Sequence, residues 1–327
     1  MGQISSSISL NTCECNNSQG EKMKSIIAAF VATFLVGTAY ANIQIVGSST
    51  VYPFSTVIAE RSFEQGIDVS VQSTGTGGGM KLFCSSIDVN TPSITNASRA
   101  IKSKEKALCF ENGVNNIIEY KFGLDGIAFA NSVNGKKVDL TLEQLWTAVS
   151  PYGGLPIYWS DIDASLPKSK ISIMMPPPSS GTRDAWNSIV MKKGCQVEEG
   201  CSDIREDGVV VEVGENDTLL VQKLSDDTER FGIFGYSYLD SNRDSIQGSK
   251  IEGIDISLEA IQDGSYPISR PLFFYVKGDH LGIVPGLQEY VDEFVSKDAV
   301  GDKGYLLDVG LVPLSEEDYK TLSKKVQ

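Results

Sequence analysis

Three segments of this chain follow the same plan, and that plan restricts the fold more than any other feature. In each, a short apolar run ends, glycine and hydroxyl residues follow, and an apolar-periodic segment begins; they are residues 47–50 (GSST), 75–79 (GTGGG) and 179–182 (SSGT). Strand, loop and helix in succession are typical of an α/β domain with a mainly parallel sheet. Ligands of such sheets bind at the carboxyl ends of the strands. We therefore expect a ligand site where these loops leave their strands.

The composition of the three loops favours an oxyanion as that ligand. Each loop would direct free backbone N–H groups, the positive end of a helix dipole and a hydroxyl group to one point. Ordinary helix capping explains any one such loop. Three such loops in one chain are a more specific indication of an oxyanion site. Arg99, after Ser98 at a strand end, and Arg183, at a helix start, could supply positive charge. Surface salt bridges are the alternative for both arginines.

The remaining pattern predicts two lobes. A length of 327 residues suggests two domains. Strand-like runs at 117–120 and 126–130 flank Asp125, and another lies at 271–276. We expect the second lobe to be inserted in the first, with crossings near 120–127 and 264–277. Helices are predicted from 184 to 190 and from 284 to 297.

Charge and composition exclude several classes of function. The chain has 28 Lys and Arg against 42 Asp and Glu, a net charge of −14. Nucleic acids and anionic membranes need clustered positive charge, so neither is an expected partner. A single histidine, His280, argues against multi-histidine metal sites and acid–base catalysis. The glycine cluster matches neither a Walker loop nor a dinucleotide fingerprint. We therefore expect no enzyme, no metal and no cofactor.

The N-terminal residues predict export. Residues 1–22 are a polar, non-globular extension, and 23–41 have the basic start, apolar run and A-Y-A site of a signal peptide cleaved after Ala41. The mature chain would be periplasmic. It keeps Cys84, Cys109, Cys195 and Cys201, an even number in an oxidising compartment. Of the three possible pairings we favour Cys84–Cys109 and Cys195–Cys201, because each closes a local loop.

At this level of detail the chain resembles a known family. The periplasmic phosphate-binding proteins of phosphate ABC transporters carry similar motifs in the same order across the whole mature chain. The matching segments here are 47–53 (GSSTVYP), 73–80 (STGTGGGM), 96–99 (NASR) and 179–183 (SSGTR).

The resemblance implies a type II periplasmic binding protein-like α/β fold, with two lobes of mixed sheet joined by a two-crossing hinge. Lobe I would be 42–122 plus 270–327, and lobe II 123–269. The protein would be a monomer that closes on one inorganic phosphate and delivers it to membrane permease subunits. Carried over by motif, the phosphate ligands would be Ser49, Thr50, Thr76, Ser98, Arg99, Ser180, Gly181 and Thr182, with Arg183 as a further charge.

The chain departs from the best-known branch of this family in two places. That branch has an aspartate acceptor where Arg99 stands, and an arginine and an aspartate where this chain has Pro176 and Pro178. A buried acceptor distinguishes phosphate, which carries a proton at neutral pH, from sulfate, which carries none. Asp125, at the first predicted crossing, is our candidate acceptor. An aspartate that caps a local turn is the equally weighted alternative.

Three other functions are compatible with the sequence. The first is a receptor for another oxyanion such as sulfate, molybdate or phosphonate. The second is a secreted phosphate-ester hydrolase, although the chain offers no Ser-His pair or metal cluster. The third is a surface or adhesion protein that keeps the fold without a ligand.

Overall fold

The structure, a computed structural model, describes residues 42–214 and 217–325. The extension predicted over 1–22, the signal peptide predicted over 23–41 and its cleavage site lie outside the described residues. Among the described helices, none is long and apolar enough to cross a membrane.

The strands form one large sheet and one small one. Nine strands share a sheet in the order β2-β1-β3-β11-β4-β8-β6-β7, with β9 also paired to β4, and β5 pairs with β10. Their bounds are β1 Ile43–Gly47, β2 Val69–Ser73, β3 Ile94–Ala97, β4 Ile117–Ser132, β5 Asp139–Leu140, β6 Ile173–Met175, β7 Val210–Glu212, β8 Phe231–Gly235, β9 Ile246–Gly248, β10 Lys250–Ile251 and β11 Ser269–Lys277.

Helices connect these strands throughout. The α-helices are α1 Tyr52–Glu64, α2 Gly75–Phe83, α3 Ser103–Glu111, α4 Leu142–Val149, α5 Trp159–Ile162, α6 Gly181–Trp186, α7 Asp217–Asp226, α8 Tyr236–Asp240, α9 Leu258–Gln262, α10 Leu287–Phe294, α11 Lys297–Val300 and α12 Glu316–Ser323. A π-helical turn, Asn187–Met191, continues α6, and 3-10 turns occur at Gly278–His280 and Tyr305–Val309.

The sheet consists of two parallel groups joined by antiparallel strands. β1 is parallel to β2 and β3, and β6 is parallel to β7 and β8. Between the two groups run β4 and β11, which are antiparallel to each other. β4 pairs with β11 up to Gly126 and with β8 from Ile127 onward, so one strand belongs to both groups. The expected mixed α/β architecture of two lobes is confirmed, while the exact lobe boundaries stay a prediction.

The prediction of two short strands around Asp125 was wrong, because β4 is continuous from Ile117 to Ser132. Asp125 lies within the strand and is paired in register with Arg270 of β11. Next to it, Leu124 forms an isolated bridge with Val312. The local sequence of this segment, with its glycines and its aspartate, is typical of a turn. Pairing with distant residues nevertheless keeps the segment in a strand.

Strand register brings the first loops to one edge. Gly47 at the end of β1 lies opposite Ser73 at the end of β2 and Asn96 near the end of β3. The three following segments therefore leave the sheet together, as expected for parallel strands.

The glycine cluster belongs to a helix and is not an open loop. α2 begins at Gly75 itself. A Cβ at Gly79 would lie 2.4 Å from the Cα of Gly47 and 2.7 Å from Oγ1 of Thr95. Only glycine at this position allows the helix to pack so closely on β1, so packing explains Gly79 without a ligand.

Two other predicted helices have different bounds. The helix predicted from Asp184 begins earlier, with α6 at Gly181, because the Ser180 hydroxyl accepts hydrogen bonds from the N–H groups of Thr182 and Arg183. The helix predicted over 284–297 is two helices, α10 and α11, and Ser296 caps the second.

Aromatic packing stiffens β4 on both sides of Asp125. On one side the rings of Phe274 and Phe294 stack at 4.6 Å, with Phe122 against both. On the other, Phe129 and Phe231 stack at 4.9 Å. Such pairs contribute about 0.5–1.5 kcal/mol each beyond the burial of their area. The strand that carries Asp125 is therefore firmly held.

Both disulfides that the sequence favoured are present. Cys84 at the end of α2 is bonded to Cys109 in α3, and Cys195 is bonded to Cys201. The second closes a short loop after the π-helical turn. The first links two helices that follow each other in the chain.

Candidate functional site

The first and fourth loops touch each other. The hydroxyl of Thr50, which is buried, donates a hydrogen bond to the carbonyl oxygen of Gly181 over 3.2 Å. A Cβ at Gly181 would lie 2.5 Å from the Cα of Thr50. The two loops are thus as close as their backbones allow, and Gly181 is needed for that approach.

The second and third loops touch in the same way. The backbone N–H of Ser98 donates to Oγ1 of Thr76 over 3.2 Å, and the two hydroxyl oxygens are 3.2 Å apart. Ser98 is buried and Thr76 is half-buried. The structure therefore brings the predicted loops together in two pairs at the carboxyl edge of the sheet.

Two helices that start at this edge have no side-chain cap. Neither Val51 before α1 nor Thr74 before α2 makes a capping hydrogen bond. Ser180 does cap α6. Ser49 is half-buried in its loop, and Thr182 is half-buried in the first turn of α6. Uncapped N–H groups and helix dipoles make the starts of α1 and α2 favourable places for an anion.

The two arginines chosen from the sequence have other partners. Arg99 forms a bidentate ion pair with Glu105, at 2.9 and 2.7 Å. Arg183 is buried and donates from Nη1 to the carbonyl oxygen of Pro176 at 3.0 Å and to Glu212 at 3.2 Å. The salt-bridge alternative thus describes both residues in this structure. Their guanidinium groups are not among the contacts that join the loops.

Arg270, which the sequence analysis missed, lies where the first and fourth loops meet. Its Nη2 donates to the Thr50 hydroxyl over 2.6 Å and to the Gly181 carbonyl over 3.3 Å. Its side chain is 9% exposed, and its Nε donates to Asp125 over 3.2 Å. The only local signal was an arginine at the start of the apolar strand β11, within the predicted second crossing. No oxyanion-loop motif surrounds it.

Asp125 is a mostly buried acceptor at the same place. Its side chain is 13% exposed. Burial raises the pKa of the Asp125 carboxyl, although the Arg270 guanidinium opposes that rise. A carboxylate with a raised pKa accepts a proton or a hydrogen bond more strongly. The turn-capping alternative does not hold, since Asp125 is inside β4.

Taken together, these groups can bind a small, partly protonated oxyanion. Hydroxyls, free helix starts and a guanidinium would donate to its oxygens, and Asp125 could accept from a proton that it carries. Across residues 42–214 and 217–325 there is no group of three or more His, Cys, Asp or Glu placed to hold a metal ion.

Comparison with known proteins shows the family of this chain. A family model of the PBP superfamily domain matches residues 32–298. The phosphate-binding protein PstS of Staphylococcus saprophyticus is 31% identical over 289 residues, which cover 86% of this chain and 82% of that protein. Protein SphX of Synechocystis is 32% identical over 291 residues, or 85% of this chain and 80% of that protein.

A solved structure adds support for the fold. The crystal structure of a possible phosphate binding protein from Planctomyces limnophilus matches with a TM-score of 0.74 and 26% identity, over 87% of this chain and 97% of that one. The expected type II periplasmic binding protein fold is thus confirmed. The chain belongs to the PBP superfamily and, within it, to the family of the PstS proteins.

Proposed function

We propose that this protein captures inorganic phosphate between its two lobes and delivers it to the permease of an ABC transporter. The observation that carries the proposal is the contact of the first and fourth loops around Arg270, which joins hydroxyls, backbone and a positive charge at one point. The names of the relatives support phosphate as the ligand, because PstS of Staphylococcus saprophyticus is a phosphate-binding protein.

The loops would supply most of the ligand contacts. The proposed set is Ser49, Thr50, Thr76, Ser98, Ser180, Gly181 and Thr182. A micromolar Kd corresponds to about −8 kcal/mol, which several charge-assisted and neutral hydrogen bonds can provide. Arg99 and Arg183 are left out of this set, because neither guanidinium contacts the residues that join the loops, whereas that of Arg270 does.

Selectivity would rest on Asp125. Phosphate carries at least one proton at neutral pH and can donate to this carboxylate. Sulfate cannot donate, so it would place its negative charge against this buried carboxylate with no hydrogen bond between them. Arsenate, which is protonated like phosphate, would bind as well. This reasoning favours phosphate over the sulfate and molybdate alternatives.

The remaining parts of the proposal concern location and motion. We propose that residues 23–41 direct export, that the mature chain acts as a periplasmic monomer, and that the lobes are 42–122 plus 270–327 and 123–269. Closure would be a hinge motion about β4 and β11, since these antiparallel strands lie between the two parallel groups of the sheet and join them.

Calorimetric titration of phosphate-stripped protein tests the proposal. We expect saturable heat with phosphate and arsenate, and at least tenfold weaker binding of sulfate and molybdate. No heat with millimolar phosphate would reject it. Equal affinity for sulfate would favour the general oxyanion receptor, and turnover of a chromogenic phosphate ester would favour the hydrolase.

A further inference from the structure

We infer that Arg270 supplies the positive charge that holds the bound oxyanion, and that Asp184 is its exchangeable counter-ion, which the anion replaces. This inference rests on the proposed function, since it concerns how the same site takes its ligand. It assigns the ligand charge to the hinge strand β11 and not to either arginine of the loop motifs.

All five N–H groups of Arg270 have acceptors. Nε donates to Asp125; Nη1 donates to Asp184 at 3.2 Å and to Ser188 at 3.3 Å; Nη2 donates to Thr50 and Gly181. A guanidinium has five donors and no more. An oxyanion can therefore bind Arg270 only by taking the place of an acceptor that is there already.

The two carboxylates on Arg270 differ in how easily they can leave. The Asp125 side chain is 13% exposed, on the strand next to β11 and in register with Arg270. Its removal would leave a buried charge without a partner, which is strongly unfavourable. The Asp184 side chain is 52% exposed, on the first turn of α6. An exposed carboxylate is hydrated again when released, and surface ion pairs contribute little. Asp184 is therefore the partner that an anion displaces.

The position of Arg270 also supports its role in binding the oxyanion. Nη2 already lies within hydrogen-bond distance of the loop groups that would hold the ligand, Thr50 and Gly181. An oxyanion at those groups therefore meets the guanidinium without a movement of β11. Release of Asp184 frees one N–H of Nη1 for a charge-assisted hydrogen bond to an oxygen of the anion.

Arg99 is a poor alternative. Both of its Nη atoms bind Glu105, whose side chain is 16% exposed and also accepts from the backbone N–H of Lys102 at the start of α3. Release of Glu105 would break a helix cap as well as an ion pair.

The inference predicts opposite effects for the two partners of one ion pair. Arg270→Gln removes a charged hydrogen bond to the anion and should weaken phosphate binding about tenfold or more. Asp184→Asn removes a competing negative charge and should tighten phosphate binding about three- to tenfold. If the ion pair were only structural, both variants would bind phosphate more weakly than the wild type or equally well.

Calorimetric titration with inorganic phosphate tests this on the full chain, with melting temperatures as a measure of folding. Glu212→Gln is the matched control for Asp184→Asn, because Glu212 is also 52% exposed and lies 3.2 Å from a buried arginine, Arg183. We expect the control to bind within twofold of wild type. If Arg270→Gln does not fold, Arg270→Lys replaces it. We expect weaker phosphate binding by this variant too, because lysine lacks the forked N–H groups of a guanidinium.

The outcomes separate this inference from the proposed function. Wild-type binding with unchanged or weaker binding by Asp184→Asn would overturn the exchange of counter-ions. Wild-type binding with unchanged affinity in the Arg270 variants would overturn the assignment of the charge. No phosphate heat with the wild-type protein would overturn the proposed function and this inference together.

Discussion

The contact between Thr50 and Gly181 can be tested by adding one methyl group. In Gly181→Ala the new Cβ would lie 2.5 Å from the Cα and 3.0 Å from the N of Thr50. Both are backbone atoms, so no side-chain rotation relieves the clash. Gly181 is the first residue of α6, where alanine is otherwise well tolerated. The effect of the substitution is therefore steric.

The magnitude follows from the distance. Carbon atoms in contact are about 3.5 Å or more apart, so the loops must separate by roughly 1 Å. Overpacking of this kind costs about 1–3 kcal/mol, which corresponds to roughly a fivefold to 150-fold weaker Kd. In our account the two loops belong to different lobes. Separation of the lobes would then relieve the strain, so the substitution destabilises mainly the closed, ligand-bound form.

The assay is calorimetric titration of phosphate together with thermal melting of the ligand-free protein. Gly214→Ala is the matched control, since its Cβ would have no neighbour within 4 Å. We expect Gly181→Ala to lose affinity while its ligand-free melting temperature changes little, and Gly214→Ala to keep both. An unchanged affinity in Gly181→Ala would refute the reasoning that the loops close on the ligand. A large fall in melting temperature would show that the contact is part of a permanent core.

Two further predictions concern stability. The loop of 25 residues closed by Cys84–Cys109 should contribute about 3.5 kcal/mol and the loop of 6 closed by Cys195–Cys201 about 2.2 kcal/mol. Urea unfolding of the two double Cys→Ala variants should therefore rank them in that order, and the reverse order would contradict the chain-entropy argument. Burial lowers the pKa of Lys277 to about 8 from 10.5. Between pH 8 and 10.5 the amine of Lys277 therefore keeps its proton in the unfolded chain and loses it in the folded chain. Raising the pH through this interval should increase the free energy of unfolding of the wild type by about 1–2 kcal/mol relative to that of Lys277→Met. Parallel pH dependence of urea unfolding in both proteins would contradict this.

The loops were predictable from sequence because their signal is local. Glycine and hydroxyl residues after an apolar run mark the end of a strand and the start of a helix, whichever partner the helix packs on. The parallel order of strands then places these loops at one edge. Cys84–Cys109 and Cys195–Cys201 were likewise predictable, since short separations favour local pairing.

The roles of the arginines were not predictable, because they depend on contacts between distant residues. Arg270 is 145 residues from Asp125 and 220 from Thr50 along the chain. Only the pairing of β11 with β4 brings it to the site. Arg99 has a strong local partner, Glu105, six residues on. The motif position of Arg99 favoured a ligand role in spite of that nearby carboxylate. Asp125 was predicted to lie between two strands because the pairing of β4 with β11 is a long-range contact that the local sequence does not show.

The central claim is that phosphate binds where the first and fourth loops meet Arg270. The most direct measurement is a crystal structure of the protein grown with millimolar arsenate, which has the shape and protonation of phosphate and whose arsenic atom gives an anomalous signal. We predict one strong anomalous peak between the lobes, with arsenate oxygens within hydrogen-bond distance of the Thr50 hydroxyl and the Arg270 guanidinium. A peak elsewhere on the protein, or no peak at that concentration, would contradict the account.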